Sequence, residues 1–495
     1  MSTSPPRTLL APGLEISRVV TGLWQVADME RGGTALDLDR GAQALASYAE
    51  AGFDTFDMAD HYGSAELIAG RFRATWPPSK RPPALMTKWV PEPGPMTADV
   101  VRRGVEERLT RLGVSTVDVL QFHWWTFEHP GYLDALTELT KLRDEGLIRH
   151  IGLTNFDTDH LRLVVRHGIP IVSNQVSFSL VDRRAAEDMS TLCAESGVRL
   201  FAYGTLCGGY LSERWLGAPE PAEIADWSKM KYGRFIREAG GWPMLQRLLA
   251  ALKTVADRHH VSIANIATRW VLDHPAVAGV IVGARLGERQ HRDDNLKMFS
   301  FALDAEDHRV IADGLAGSNR IPGDCGDEYR KPPFLTASGD LSHHLASFPK
   351  VFRASALPGR ANRWRVETGS VWEPIAGYSR AVRIGERVLV SGTTATHGSG
   401  TVVAPGDVAA QTVFILDRIT ASLAALGATL DDVVRTRIYL KDQRRWEDAS
   451  RVHGRYLGHV RPANTLVEVG DLVGDYEVEI EAEAIVEPGT VPEIG

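Results

Sequence analysis

The sequence predicts an α/β chain: a (β/α)8, or TIM-type, barrel followed by a small α+β domain. Three observations carry this. From about Arg18 to Asn295, eight β-type runs alternate with amphipathic helical patterns. At 495 residues the chain is too long for one hydrophobic core. Beyond about Ala381 the order becomes two strands, helix, strand, helix and two strands, which suits one sheet with helices on one face.

The barrel strands are read at Arg18–Trp24, Thr55–Ala59, Ala84–Trp89, Val117–Trp124, His150–Asn155, Ile171–Ser179, Arg199–Thr205 and Val277–Ala284. Most are rich in Val, Ile, Phe and Thr, as strands buried on both faces should be. Among the helices, Ala98–Leu112 sets Val101, Val105, Leu109 and Leu112 on one stripe, and Tyr132–Ile148 does so with Leu133, Leu136, Leu139 and Leu142. A doubly wound open sheet is the alternative; no G-x-G-x-x-G follows the first strand to support it. Cys207–Gly241, after the seventh strand, is long and irregular, and loops on that side of a barrel usually shape the active site.

Gly317–Val366 has no sustained period, so the chain divides into residues 1–345, a linker at 346–365, and residues 366–495. The second part reads as strands around a turn at Gly385, a helix Val408–Leu426, a strand Val433–Leu440, a helix Trp446–Leu457, and strands Thr465–Val469 and Tyr476–Val486. The last alternates Val478, Ile480, Ala482, Ala484 and Val486 with Glu479, Glu481 and Glu483.

Apolar and charged contents of 44% and 24% are ordinary for a globular chain, and a formal charge of -8 argues against a sequence-independent nucleic-acid binder. The first residues form no signal peptide, and no run of roughly 18 uninterrupted apolar residues suggests a membrane span. Cys193, Cys207 and Cys325 make no disulfide framework and no zinc site, so reduced thiols and a cytoplasmic location are expected, without a bound metal.

Asp57 ends the second strand in Phe56-Asp57-Met58-Ala59-Asp60-His61-Tyr62-Gly63, Tyr62 follows in the loop, Lys88 ends the third strand and His123 the fourth. Such positions converge on one mouth. Carbonyl reduction needs a hydride donor and an acid for the nascent alkoxide. A tyrosine titrates near pH ~10, and a close ammonium lowers that value. Lys88 would supply the charge, Asp57 would hold it, and His123 would orient the carbonyl oxygen. Trp24, Trp89, Trp124 and Trp125 sit at or beside strand ends; Trp24, Trp89 and Trp124 are the candidate pocket walls, Trp24 and Trp124 foremost.

These residues resemble the Asp/Tyr/Lys/His tetrad of the aldo-keto reductase superfamily, over roughly residues 8–345. The resemblance implies Tyr62 as proton donor and an NADPH cofactor, with NADH the alternative. It implies Thr154, Asn155 and Gln175 on the nicotinamide carboxamide and Tyr203 stacked on the ring. Gly204, Thr205, Leu206, Gly283 and Arg285 would face the pyrophosphate, and Arg285, Gln290 and Asn295 the adenosine. His291 stands where NADPH-preferring members often carry Arg. Aldehydes, ketones and sugar lactols all remain open as substrates, and some such barrels are cofactor-sensing subunits instead of enzymes.

From about residue 366 the chain is similar to the Rid (reactive intermediate deaminase) family, whose fold is chorismate-mutase-like. The match rests on Tyr378-Ser379-Arg380-Ala381, Val390-Ser391-Gly392, Leu430–Val434, Arg437–Asp442, Arg461-Pro462-Ala463 and Val478–Ala484. It implies a homotrimer with a cleft between subunits, here involving Tyr378, Ser391, Asn464 and Glu483, the last preceded by two extra residues. Deaminating members carry Arg directly after Pro-Ala, where this chain has Asn464. Asn cannot grip a carboxylate as a guanidinium fork does. The expected role is therefore assembly, ligand binding or regulation. A bifunctional enzyme, in which this domain hydrolyses an imine to a carbonyl that the barrel reduces, is the alternative.

Overall fold

The computed structural model of the chain describes residues 4–26, 36–224, 227–284, 286, 291–330, 350–360, 362–398, 400–489 and 492. An N-terminal hairpin that no sequence signal marked, β1 (Arg7–Ala11) and β2 (Leu14–Ser17), comes first. Its Leu10, Leu14 and Ile16 pack with Val20, Ala84, Met86, Val119 and Phe201 of the barrel interior, plugging the N-terminal end.

The barrel strands are β3 (Val19–Gly22), β4 (Thr55–Asp57), β5 (Ala84–Trp89), β6 (Val117–His123), β7 (Ile148–Thr154), β8 (Ile171–Ser177), β9 (Arg199–Tyr203) and β10 (Val277–Gly283). Neighbours run parallel and β10 pairs back onto β3, so the barrel is closed and the doubly wound alternative falls. The insertion after β9 holds the helix Trp227–Ala239, whose Tyr232, Phe235 and Ile236 pack with Cys207, Tyr210 and Leu211.

The second sheet contains seven strands, ordered β11-β12-β13-β14-β19-β17-β18. They are β11 (Ala354–Ala356), β12 (Arg363–Val366), β13 (Ala381–Ile384), β14 (Arg387–Thr394), β17 (Val433–Leu440), β18 (Ala463–Glu468) and β19 (Val478–Ile485), with a small hairpin β15 (Thr396–His397) and β16 (Thr401–Val402) apart. The stretch 346–365, read as a linker, thus contributes β11 and most of β12; strands of 3 and 4 residues are too short to carry a period.

Helices Val408–Ala425 and Trp446–Leu457 cover one face of this sheet. The barrel helix Thr158–Arg166 packs on the other side of Val408–Ala425, which is buried almost throughout. Among the described residues this is the one helix long and apolar enough to cross a membrane, and here it is the seam between two domains.

Candidate active site

Strand alternation decides what faces the C-terminal mouth. Lys88, next to last in β5, points inward and donates from Nζ to Asp57 Oδ2 at 2.6 Å and to the Met58 carbonyl at 3.2 Å. Both side chains are nearly inaccessible, at 3% and 4% exposed. Burial pulls the ammonium below the usual lysine value, against the opposing pull of Asp57 and Asp60. Its Nζ lies 5.3 Å from the Tyr62 ring centroid. Trp24 meets Tyr62 edge-on at 4.9 Å, as His61 does at 4.8 Å.

His123 is buried, and its Nε2 has no hydrogen-bond partner among the described residues. Burial first, then the positive groups His61, Arg330, Lys88 and Lys231, push its pKa well below the imidazole norm. It is neutral at pH 7.

Gln121 and Gln175 were not foreseen in the role they take. Their Nε2 groups donate to Asp57 Oδ1 at 2.8 and 2.7 Å, and Gln175 also donates to Gln121 Oε1 at 2.8 Å. Gln175, expected on the carboxamide, has its amide NH2 committed to holding the carboxylate. Thr154 Oγ1 is buried with no partner among the described residues, and Asn155 adopts φ 57 just beyond β7. Tyr203 donates to Asn155 Oδ1 at 2.8 Å, with Lys231 Nζ 4.9 Å over its ring. Gly204 is left-handed at φ 69, and a Cβ there would lie 2.0 Å from the Tyr232 hydroxyl. Thr205 is buried and Leu206 half-buried in the turn that follows. Gly283, His291 and Asn295 line one small cleft. Arg285 and Gln290 lie outside the described residues.

Two of the proposed pocket walls are corrected. Trp89 and Trp124 follow inward-facing Lys88 and His123 directly, so both point outward. Trp89 fills the space over Gly104, and Trp124 stacks on Phe122 and donates to the His129 carbonyl at 2.9 Å. Trp125, two residues after His123, faces the mouth at 4.4 Å from that ring. Beside it stands Tyr329, from the segment that ends the barrel domain, 5.8 Å from the rings of both His123 and Trp125. Lys231 of the insertion helix donates to the Tyr329 hydroxyl at 2.7 Å. Nothing in the sequence marked Tyr329 or Lys231.

In the second domain, Arg380 links Tyr378 to the Ser391–Gly392 bulge of β14, donating to the Tyr378 hydroxyl at 3.0 Å and the Gly392 carbonyl at 2.7 Å. Ser391 donates to the Ser379 carbonyl at 2.9 Å. The β19 glutamate against that bulge is Glu479, whose Oε1 would lie 2.0 Å from a Cβ on Gly392. Glu483 instead pairs with Arg387 at 2.9 Å and Arg437 at 3.2 Å. Asn464 donates to Thr436 Oγ1 at 2.9 Å on the helix-facing side of the sheet, where Thr436 also meets His453 at 2.9 Å. Within one chain, then, Asn464 and Glu483 stand apart from Tyr378 and Ser391.

Just after Asn155, Asp157 caps the helix Thr158–Arg166 and meets His160 Nδ1 at 2.7 Å. His160 Nε2 lies 3.1 Å from Asp417 of the second domain. Burial lowers the His160 pKa, but Asp157 and Asp417 outweigh it and raise it to about 9. Because the folded value exceeds the unfolded one, this stabilisation is complete below pH ~6.5 and fades as pH rises through the folded value. Its size is on the order of 3 kcal/mol. Urea melts at pH 6, 8 and 10 should show wild type losing its advantage over His160→Gln as pH rises; a constant difference would contradict the assignment.

Residues 18–314 match the aldo/keto reductase family, and residues 368–486 match the family described as endoribonuclease L-PSP. Flagellar radial spoke protein 5 of Chlamydomonas reinhardtii is 33% identical over 178 residues, 32% of this chain. The chain spans only 33% of that relative's length. A RutC family protein of Pyrococcus abyssi is 35% identical over 110 residues, 22% of this chain and 87% of that protein. Among solved structures, a glycerol dehydrogenase of Gluconobacter oxydans superposes with a TM-score of 0.51 at 23% identity, covering 63% of this chain and 95% of the other, a likeness of fold.

Proposed function

The chain belongs to the aldo/keto reductase family over residues 18–314 and to the RutC, or Rid, family near its C-terminus, and from that premise we propose an NAD(P)H-dependent oxidoreductase of carbonyl compounds, reversible for alcohols and sugar lactols. The carrying observation is the buried Lys88–Asp57 pair at 2.6 Å with its ammonium 5.3 Å from the Tyr62 ring.

The residues fit the cofactor: Thr154 Oγ1 and His123 Nε2 are buried polar atoms without partners among the described residues. Thr154 and Asn155 would hold the nicotinamide beside Tyr203, and Gly283, His291 and Asn295 the adenosine end. When bound, the cofactor supplies the hydride to the carbonyl carbon. Tyr62 gives its phenolic proton to the carbonyl oxygen. Lys88, kept in place by Asp57, stabilises the phenolate that results, and Gln121 and Gln175 fix Asp57 in turn. Neutral His123, as its Nε2–H tautomer, donates a hydrogen bond to the same oxygen. Trp24, Trp125 and Tyr329 wall the site and exclude water. NADPH is the preferred cofactor in this reading.

The second domain assembles three chains and binds a small ligand without deaminating it. Among the described residues no barrel element packs on its sheet face opposite the helices, and light scattering should give about three times the 54.3 kDa chain mass. A monomeric mass would remove the assembly role. Ammonia release from imino acids should match buffer; faster release would overturn the non-deaminating reading. Three buried free thiols suit the reducing cytoplasm.

The primary test is fluorescence titration with NADPH and NADH, then turnover on aldehydes, ketones and aldoses. Tight binding with turnover supports the oxidoreductase; tight binding without turnover on any substrate favours a sensor.

A further inference from the structure

We propose that the RutC-type domain is a positioning part of the oxidoreductase site: through Arg455 it fixes the segment Asp324–Arg330 that brings Tyr329 to the barrel mouth. The kinetic consequence rests on the oxidoreductase reading; the clamp itself does not.

Arg455 lies on the helix Trp446–Leu457 and spans two barrel segments. Its Nη1 reaches Asp157 at 3.2 Å and Asp159 at 3.1 Å, at the start of the helix behind Asn155. Its Nη2 reaches Asp327 at 3.2 Å, and Nη1 also approaches Asp324 at 3.5 Å. Asp157, Asp159 and Asp327 are at most 2% exposed. Buried carboxylates that lose a cation are strongly destabilising.

The two sides of this clamp differ in what remains without Arg455. Asp157 keeps His160 and its capping bonds, and Asp159 keeps Arg451 at 2.9 Å. Among the described residues Asp327 keeps only the longer contact to Arg330, at 3.3 Å, besides the Asp324 backbone N–H. The segment should therefore move outward to hydrate Asp327, while the Asn155 turn stays.

That movement reaches the mouth directly. Gly326 packs against the Asn155 carbonyl so closely that a Cβ would lie 2.0 Å from that oxygen. Arg330 donates to the same carbonyl at 3.2 Å. Tyr329 lies between them in sequence, its hydroxyl 3.3 Å from that of Tyr203. The proton-transfer residues Asp57, Tyr62 and Lys88 belong to β4, β5 and the loop between them, which Arg455 does not touch. Loss of the clamp should thus weaken substrate placement more than chemistry.

The test uses the full-length chain carrying Arg455→Met, which keeps the aliphatic stem. Hydrogen exchange over residues 323–330 should quicken about tenfold or more while β4 and β5 stay protected. KM for the carbonyl substrate should rise about tenfold with kcat within about threefold. Arg455→Lys should restore part of both. Tyr329→Ala should raise KM similarly, and the double variant no further than either alone. Should Arg455→Met not fold, Arg455→Met/Asp327→Asn removes the stranded charge and is read the same way. Unchanged exchange in a folded variant, quickened exchange with KM unmoved, or additive effects with Tyr329→Ala would overturn the proposal. Wild-type failure on every carbonyl would overturn the oxidoreductase reading instead, and the exchange measurement would still decide the clamp.

Discussion

Tyr62→Phe should lower turnover by roughly 100- to 10,000-fold, the range for removing a positioned general acid. The substitution deletes one oxygen and keeps the ring that packs edge-on against Trp24 and His61. Cofactor titration should be unchanged, since the residues assigned to the nicotinamide lie on β7 and β9, across the barrel. The measurement is single-turnover reduction with saturating NADPH. Turnover within threefold of wild type would remove Tyr62 as the acid; loss of cofactor binding as well would point to a collapsed mouth.

Lys88→Met should cost both activity and stability, which separates it from the first variant. Asp57 is 3% exposed, and without Lys88 it would keep only the amides of Gln121 and Gln175. Stranding a buried partner typically costs about 3–5 kcal/mol. The midpoint of urea unfolding should fall accordingly, and turnover should drop at least as far as in Tyr62→Phe, because the phenolate loses its neighbouring charge. A variant of wild-type stability would mean that Asp57 is hydrated or protonated in the folded chain. Adding Asp57→Asn should recover most of the stability and none of the activity.

The barrel was legible because eight runs rich in Val, Ile, Phe and Thr alternate with amphipathic helices. Asp57, Lys88 and His123 were read from their places at strand ends, and the fold sets the Lys88 ammonium against Asp57. Strand alternation would have placed Trp125 in the pocket and Trp89 and Trp124 outside, since a residue next to an inward one faces out. Period alone does not choose among Glu479, Glu481 and Glu483, which share a face; the contact with Gly392 does. Lys231 and Tyr329 come from an insertion and a terminal segment with no period, so only tertiary packing brings them to the mouth. The interface between domains had one sequence signal. Val408–Ala425 lacks a polar stripe, and a helix hydrophobic on every side needs cover on every side.

That helix bears on how the chain can change over generations. A gene fusion is ordinarily reversible, because each half keeps a surface fit for water. Here a recombination event that parted the halves would leave Val408–Ala425 with a greasy flank and the start of the Thr158–Arg166 helix with buried carboxylates facing solvent. The product carrying that flank would tend to aggregate. Separation would require several polar replacements at once along that buried helix.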